Sequence, residues 1–190
     1  MLMFHPVILL PKKYRIFNLS KHLAEKKILK HKFGIGKYNE KRLGTYKASL
    51  FKGGRNIHMG IDFFAPIGTP LYAFEKGEIF LTGYNSAKGD YGYTLITKHQ
   101  ISGVTLFALY GHLSKVSIEK KRRGEKIEKG QVIAWVGERQ ENGGWIPHLH
   151  SQLSFERPLI SDLPGVVSQK DLSIALLKYP DPRLVLGPIY

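Results

Sequence analysis

Three short segments carry side chains that could do chemistry together. In Asn56-Ile57-His58-Met59-Gly60-Ile61-Asp62-Phe63-Phe64, Gly60 and the nearby Pro66 disfavour a helix, and an extended chain sends alternate side chains to one face. His58 and Asp62 then point the same way, with Ile57, Ile61 and Phe63 opposite, and Gly60 permits a close approach. In Pro147-His148-Leu149-His150-Ser151-Gln152-Leu153 the same alternation sets His148 beside His150, with Leu149, Ser151 and Leu153 on the other face. In Leu109-Tyr110-Gly111-His112-Leu113-Ser114 a β-rich run ends at Gly111 and delivers His112 at a strand end, a usual position for functional residues. Imidazole plus carboxylate is a ligand set that suits zinc, and a chain without cysteine must hold any metal through His, Asp or Glu. His5, His22, His31 and His99 have no such setting and are read as structural or solvated.

The elements that would position these side chains follow from local pattern. Residues 46 to 157 contain short β-rich runs separated by glycine: 71–74, 78–82, 93–98, 105–110 and 132–136. This is the pattern of a mainly β, antiparallel, sandwich-like domain with a cleft where the three segments meet. Ahead of it, residues 1 to 45 form an extension in which Ser20 is expected to cap a short helix running to Lys30. Behind it, residues 158 to 190 hold a helix over 168–179, followed by a proline-punctuated tail expected to run extended. Trp135 is expected in the core, whereas Trp145, just before the His148 strand, fits either a groove wall or the underside of its loop. Tyr72, Tyr91 and Tyr93 are further candidates for lining a groove.

Composition bounds the possibilities. At 190 residues, with 43% hydrophobic and 23% charged, the chain can bury a core of its own. Without cysteine it has neither disulfides nor a thiolate metal site. No apolar run approaches the ~18–20 residues that span a bilayer. The apolar start Met1 to Pro11 has two prolines, no basic start and no small-residue cleavage site after it, so it reads as part of the fold rather than a signal peptide. The net charge of +14 predicts attraction to polyanions, but without a motif that reads nucleic-acid sequence this is a surface field rather than a recognition site.

The three segments, in order, resemble the H-x-x-x-D, Y-x-H-L-S-like and H-x-H motifs of the lysostaphin/LytM-type zinc metalloendopeptidases. Gly60 to Ala73 is similar to that family's G-x-D-x-x-A-P-x-G-T-P-V-x-A block, and the resemblance covers roughly residues 50 to 157. It implies the duplicated hybrid motif fold, one zinc ion held by His58, Asp62 and His150, catalytic roles for His112 and His148, and a peptide or peptidoglycan-type substrate. The alternative is a non-catalytic binding or regulatory module on the same fold. A carrier module is a further alternative, because 124–133 resembles the glycine-turn hairpins of lipoyl- and biotin-type domains, although no lysine occupies the tight turn.

Two departures qualify the resemblance. Where relatives carry a small glycine- and serine-rich turn before P-H-L-H, this chain has the bulkier, charged Glu138 to Ile146, expected to border the cleft. The flanks, Gly36 to Arg42 before the domain and Asp162 to Val166 with Tyr179 to Pro182 after it, are similar to a branch joined to kinase-like and aminotransferase-like modules. That branch implies a cytoplasmic setting. An extension ahead of His58 also raises the expectation of latency, in which residues 1 to 45 cover the cleft.

Overall fold

A computed structural model describes residues 4–21, 23–46 and 51–190. Its main sheet has eight strands: β1 (Arg15–Ile16), β2 (Gly34–Gly36), β5 (Ile61–Phe64), β12 (His148–Ser154), β9 (Val104–Leu113), β8 (Gly92–Ile101), β7 (Gly77–Asn85) and β10 (Lys126–Ile127), in that spatial order. Every pair is antiparallel except β1 with β2. A two-stranded sheet joins β6 (Pro70–Tyr72) to β11 (Val132–Trp135), and a three-stranded one joins β3 (Glu40–Lys41), β4 (Ile57–His58) and β13 (Val166–Val167). The architecture is thus the mainly β, antiparallel one expected from the glycine-separated runs.

Register decides what shares a face. Gly36 lies opposite Asp62, Asp62 opposite His150, and His150 opposite Gly111, forming one row across four adjacent strands. The next row sets Phe64 against His148. Because side chains alternate, the intervening Ile61, Phe63 and Leu149 point to the other face, where they join Ile35, Ala108, Tyr110 and Leu153 in the main core. The same core takes up Val7 and Ile8 from the chain's start and Val185 from its end.

The helices are short. The one expected from Ser20 to Lys30 is a single turn, α1 (Glu25–Ile28), and its N-cap is Ala24. Ser20 does not cap it: its hydroxyl donates to Asn18 Oδ1 at 2.5 Å, and His22 lies outside the described residues. The single turn is held by Ile28 packing with Phe17, Leu19, Phe64 and Ile146, because an isolated turn has little stability of its own. The C-terminal helix forms as α2 (Leu172–Lys178), entered by a 3-10 turn at Gln169–Asp171. The tail is not fully extended: α3 (Arg183–Leu186) begins where Asp181 Oδ1 accepts the Arg183 N–H at 2.9 Å, and it carries Val185 into the core. Residues 124–133 do not form a carrier-type hairpin, since β10 pairs with β7 and β11 with β6. Trp135 is half-buried rather than fully in the core. Among the described residues no helix is long and apolar enough to cross a membrane.

Candidate active site

All five side chains singled out in the sequence meet on the cleft face of the sheet, and all five are buried. Asp62 and His150 face each other across β5 and β12, and His58 arrives from β4 after the chain turns at Met59-Gly60. That turn needs a glycine, because a Cβ at position 60 would lie 2.5 Å from His150 Cε1 and 2.8 Å from the Ser151 carbonyl. His58 Nε2, Asp62 Oδ1 and His150 Nδ1 then stand 3.0–3.1 Å apart pairwise.

The outward bonds of the two histidines fix what those inner atoms are. His58 Nδ1 sits 3.0 Å from the Lys37 carbonyl, and His150 Nε2 sits 3.0 Å from Gln152 Oε1. Both partners are acceptors, which assigns the ring protons to the outer nitrogens and leaves a lone pair on each inner one. Two imidazole lone pairs and a carboxylate oxygen therefore converge with no hydrogen among them. Such a triad calls for a cation, and its spacing is close to that of three ligands ~2.0–2.2 Å from one ion. His58, Asp62 and His150 can accordingly hold a metal ion. Burial, and next the Arg42 charge, push the His58 imidazole down to about 4. Burial alone would raise the Asp62 carboxyl, but its charged surroundings, the Arg42 guanidinium among them, outweigh burial and hold it well below the usual carboxylate range.

His112 and His148 stand beside this triad with ring centroids 4.1 Å apart. His148 Nδ1 is 2.7 Å from the Ile146 carbonyl and His112 Nδ1 is 2.8 Å from the Asn142 carbonyl, so both rings are Nδ1-protonated and turn a bare Nε2 inward. His148 Nε2 lies 3.9 Å from Asp62 Oδ1. Burial is the first cause lowering both imidazoles; the neighbouring His148 and His150 add to it at His112, whereas at His148 the Asp62 carboxylate opposes it. Phe64 stacks on His148 at 5.3 Å and fixes its plane.

His112 is the penultimate residue of β9, at the strand end the sequence suggested, and it sits at a β-bulge. Tyr93 pairs with Leu113 and Leu95 with Tyr110, so two residues of β9, Gly111 and His112, oppose the single Thr94. His112 takes φ 64, a left-handed conformation that a non-glycine residue seldom adopts. Its N–H donates to the Tyr91 carbonyl and its carbonyl accepts from the Gly137 N–H, both at 3.0 Å, and these bonds hold the bulge.

The site opens into a cavity of about 580 Å³. The loop from Glu138 to Ile146 borders it as expected, folded around the buried Asn142, which accepts the Trp145 N–H at 2.9 Å. Trp145 lines the cavity and lies edge-on to His112 at 6.3 Å. Of the three tyrosine candidates, Tyr91 is at the cavity, its hydroxyl 3.3 Å from His150 Nε2, whereas Tyr93 packs on Tyr84 and Tyr72 on His5. The N-terminal segment supplies another wall through Leu19, Leu23 and Ile28. It also supplies Arg42, which sequence reasoning gave no role: Nη1 donates to Asp62 Oδ2 at 2.6 Å. His5 and His31 lie away from the cleft; His99 is buried between Thr97 Oγ1 and the Lys76 carbonyl.

Comparison with known proteins agrees with this geometry. The chain is 36% identical over 96 residues to peptidoglycan DD-endopeptidase ShyA of Vibrio cholerae serotype O1, a match spanning 50% of this chain and 20% of that protein. It is 34% identical over 96 residues to lysostaphin of Staphylococcus staphylolyticus, spanning 50% and 18%. The chain thus spans about a fifth of the length of these curated relatives. Among solved structures, the antimicrobial peptidase lysostaphin from Staphylococcus simulans superposes with a TM-score of 0.53 at 27% identity, covering 83% of this chain and 53% of that one. Residues 56–160, which run from just before His58 to just beyond β12 and so contain all five site residues, match Peptidase family M23, and the chain belongs to that family.

Proposed function

We propose that the protein is a zinc metalloendopeptidase acting on peptidoglycan-type or related peptides, with one zinc ion held by His58, Asp62 and His150 and with His112 and His148 as its catalytic histidines. The observation that carries this is the convergence of three lone-pair atoms, His58 Nε2, Asp62 Oδ1 and His150 Nδ1, on one buried point, flanked by two further bare imidazole nitrogens. When bound there, zinc supplies a Lewis acid for an amide carbonyl and makes water acidic enough to lose a proton near neutral pH.

The chain's own residues do the rest. Each Nε2 of His112 and His148 can take a proton from an attacking water, and the imidazolium so formed can return it to the departing amine. Before that proton is transferred, a protonated ring can donate to the oxygen on which charge develops. Phe64, Ile146 and Trp145 fix the rings and shield them from bulk water. We also propose that residues 1–45, 46–157 and 158–190 form the extension, the peptidase domain and a C-terminal segment. A peptidoglycan-type substrate is supported by the named activity of the Vibrio relative.

The test is hydrolysis of peptidoglycan fragments and synthetic stem or glycine-rich peptides, followed by mass spectrometry. Cleavage at an amide bond, abolished by chelation and restored by zinc, is expected. Hydrolysis indifferent to chelation would remove the metal from the mechanism, and binding without cleavage of any of these substrates would favour the non-catalytic module.

A further inference from the structure

Asp62 has two carboxylate oxygens with different neighbours. Oδ1 faces His58 Nε2 and His150 Nδ1, each at 3.1 Å, while Oδ2 receives Arg42 Nη1 at 2.6 Å. Arg42 sits just past β3, at position 42, outside the residues 56–160 that match the family. It is 3% exposed and its guanidinium is fully engaged: Nε donates to Glu40 Oε2 at 3.2 Å, Nη1 also reaches the Tyr46 hydroxyl at 3.1 Å, and Nη2 reaches the Lys37 carbonyl at 3.4 Å. Lys37 is the residue whose carbonyl also accepts from His58 Nδ1, so one short stretch of chain orients two of the three inner donors.

The sheet leaves room for this contact. Gly36 is the cross-strand partner of Asp62, and a Cβ there would lie 2.7 Å from Arg42 Nη2. Any other residue opposite Asp62 would push the guanidinium away. Glu40, 7% exposed, is anchored by the Leu19 N–H at 2.9 Å and holds the far side of the fork. A rigid fork bound to a fixed counter-charge constrains a carboxylate in orientation as well as charge.

Resting on the zinc-site reading above, we propose that Arg42 is a positioning residue of the metal centre: by occupying Asp62 Oδ2 it presents Oδ1 alone to the ion and keeps the carboxylate from chelating through both oxygens. The segment ahead of the family-matched region thereby completes the site.

The test uses the full chain with two readouts besides turnover: zinc affinity by competition with a chromophoric chelator, and the d–d absorption of the cobalt(II)-substituted protein, whose intensity falls as coordination number rises. One variant is Arg42→Lys, which keeps the charge but loses the fork. The other pairs Arg42→Met with Glu40→Gln, so that the Glu40 carboxylate is not left buried without its partner. Both are expected to bind zinc about 10- to 100-fold more weakly, the usual effect of removing a partner that orients a metal ligand, and to show weaker cobalt bands. Wild-type affinity and spectrum in a folded Arg42→Lys protein would overturn the proposal. If the double variant does not fold, Arg42→Lys alone decides by the same criterion. Failure of the wild-type chain to bind zinc would instead count against the zinc site itself.

Discussion

At the scale of single residues, the five side chains divide by position, with His58, Asp62 and His150 converging on one point and His112 and His148 standing beside it, and the division makes distinct predictions. His112→Ala and His148→Ala should each retain zinc while peptide hydrolysis falls by about 10²–10⁴-fold, the usual worth of a positioned acid–base group. Metal content measured beside turnover checks this, and loss of zinc in either variant would move that histidine into the ligand set. A second residue-scale prediction concerns Asp162, at the cavity wall, whose carboxyl is pushed up to about 6, first by burial and then by Asp90. The folded value lies above the ordinary 3.8, so folding takes up a proton between about 4 and 6. The cost is then fully present above pH ~6 and relieved as pH falls toward 4. Asp162→Asn should therefore unfold at higher denaturant than wild type at pH 8, with the difference vanishing near pH 4. The five chemical residues were legible in the sequence because their signals are local, but only His148 with His150 is joined by alternation along one strand. His58 and Asp62, expected to alternate on a single strand, sit on β4 and β5 in different sheets and meet through the turn at Met59-Gly60. Arg42 was not legible. Its contact spans twenty residues and depends on the pairing of β2 with β5, which no local pattern fixes.

At the scale of elements, the site depends on two local irregularities in otherwise regular strands. One is the turn at Gly60, where Gly60→Ala would force a Cβ onto the His150 ring and the Ser151 carbonyl. The backbone oxygen cannot swing aside as a side chain could, so a loss of about 1–3 kcal/mol in stability is expected, together with weaker zinc binding, both read by denaturation with and without metal. The other irregularity is the bulge at Gly111-His112, which aims a side chain at the end of β9. The sequence showed a glycine and a histidine at the end of a β-rich run, but a bulge is a property of two strands and appears only in their register. The hairpin from β8 to β9 was shortened in the sequence reading for a similar reason. Ser102 and Gly103 both take positive φ in a tight turn, which lets the strands continue until only these two residues separate them. The helix expected from Ser20 shrank to one turn because docking of Ile28, rather than capping, supports it.

At the scale of the whole molecule, the ends of the chain are structural parts of the peptidase fold. Val7 and Ile8 lie in the main core, and β2 covers the edge of β5 that would otherwise be open. Removing residues 1–36 should therefore give a chain that aggregates or unfolds at lower denaturant rather than a more active one. An intact, more active product would show that these residues act as the latent cover suggested by the sequence. The net charge of +14 belongs to this scale as well. It predicts retention on anionic polymers, DNA included, without sequence preference and with steep loss as salt rises. Binding to one DNA sequence that survives high salt would contradict that.

The central claim is that His58, Asp62 and His150 form a single zinc site, and the most direct measurement is zinc per chain by elemental mass spectrometry on protein purified without added metal or chelator. Asp62→Asn is the matched variant, since its amide can still accept from Arg42 while no longer offering a charged oxygen to the ion. About one zinc per wild-type chain, lost in Asp62→Asn, is predicted. Zinc absent from the wild-type chain and not taken up on titration, or equally retained by the variant, would contradict the account.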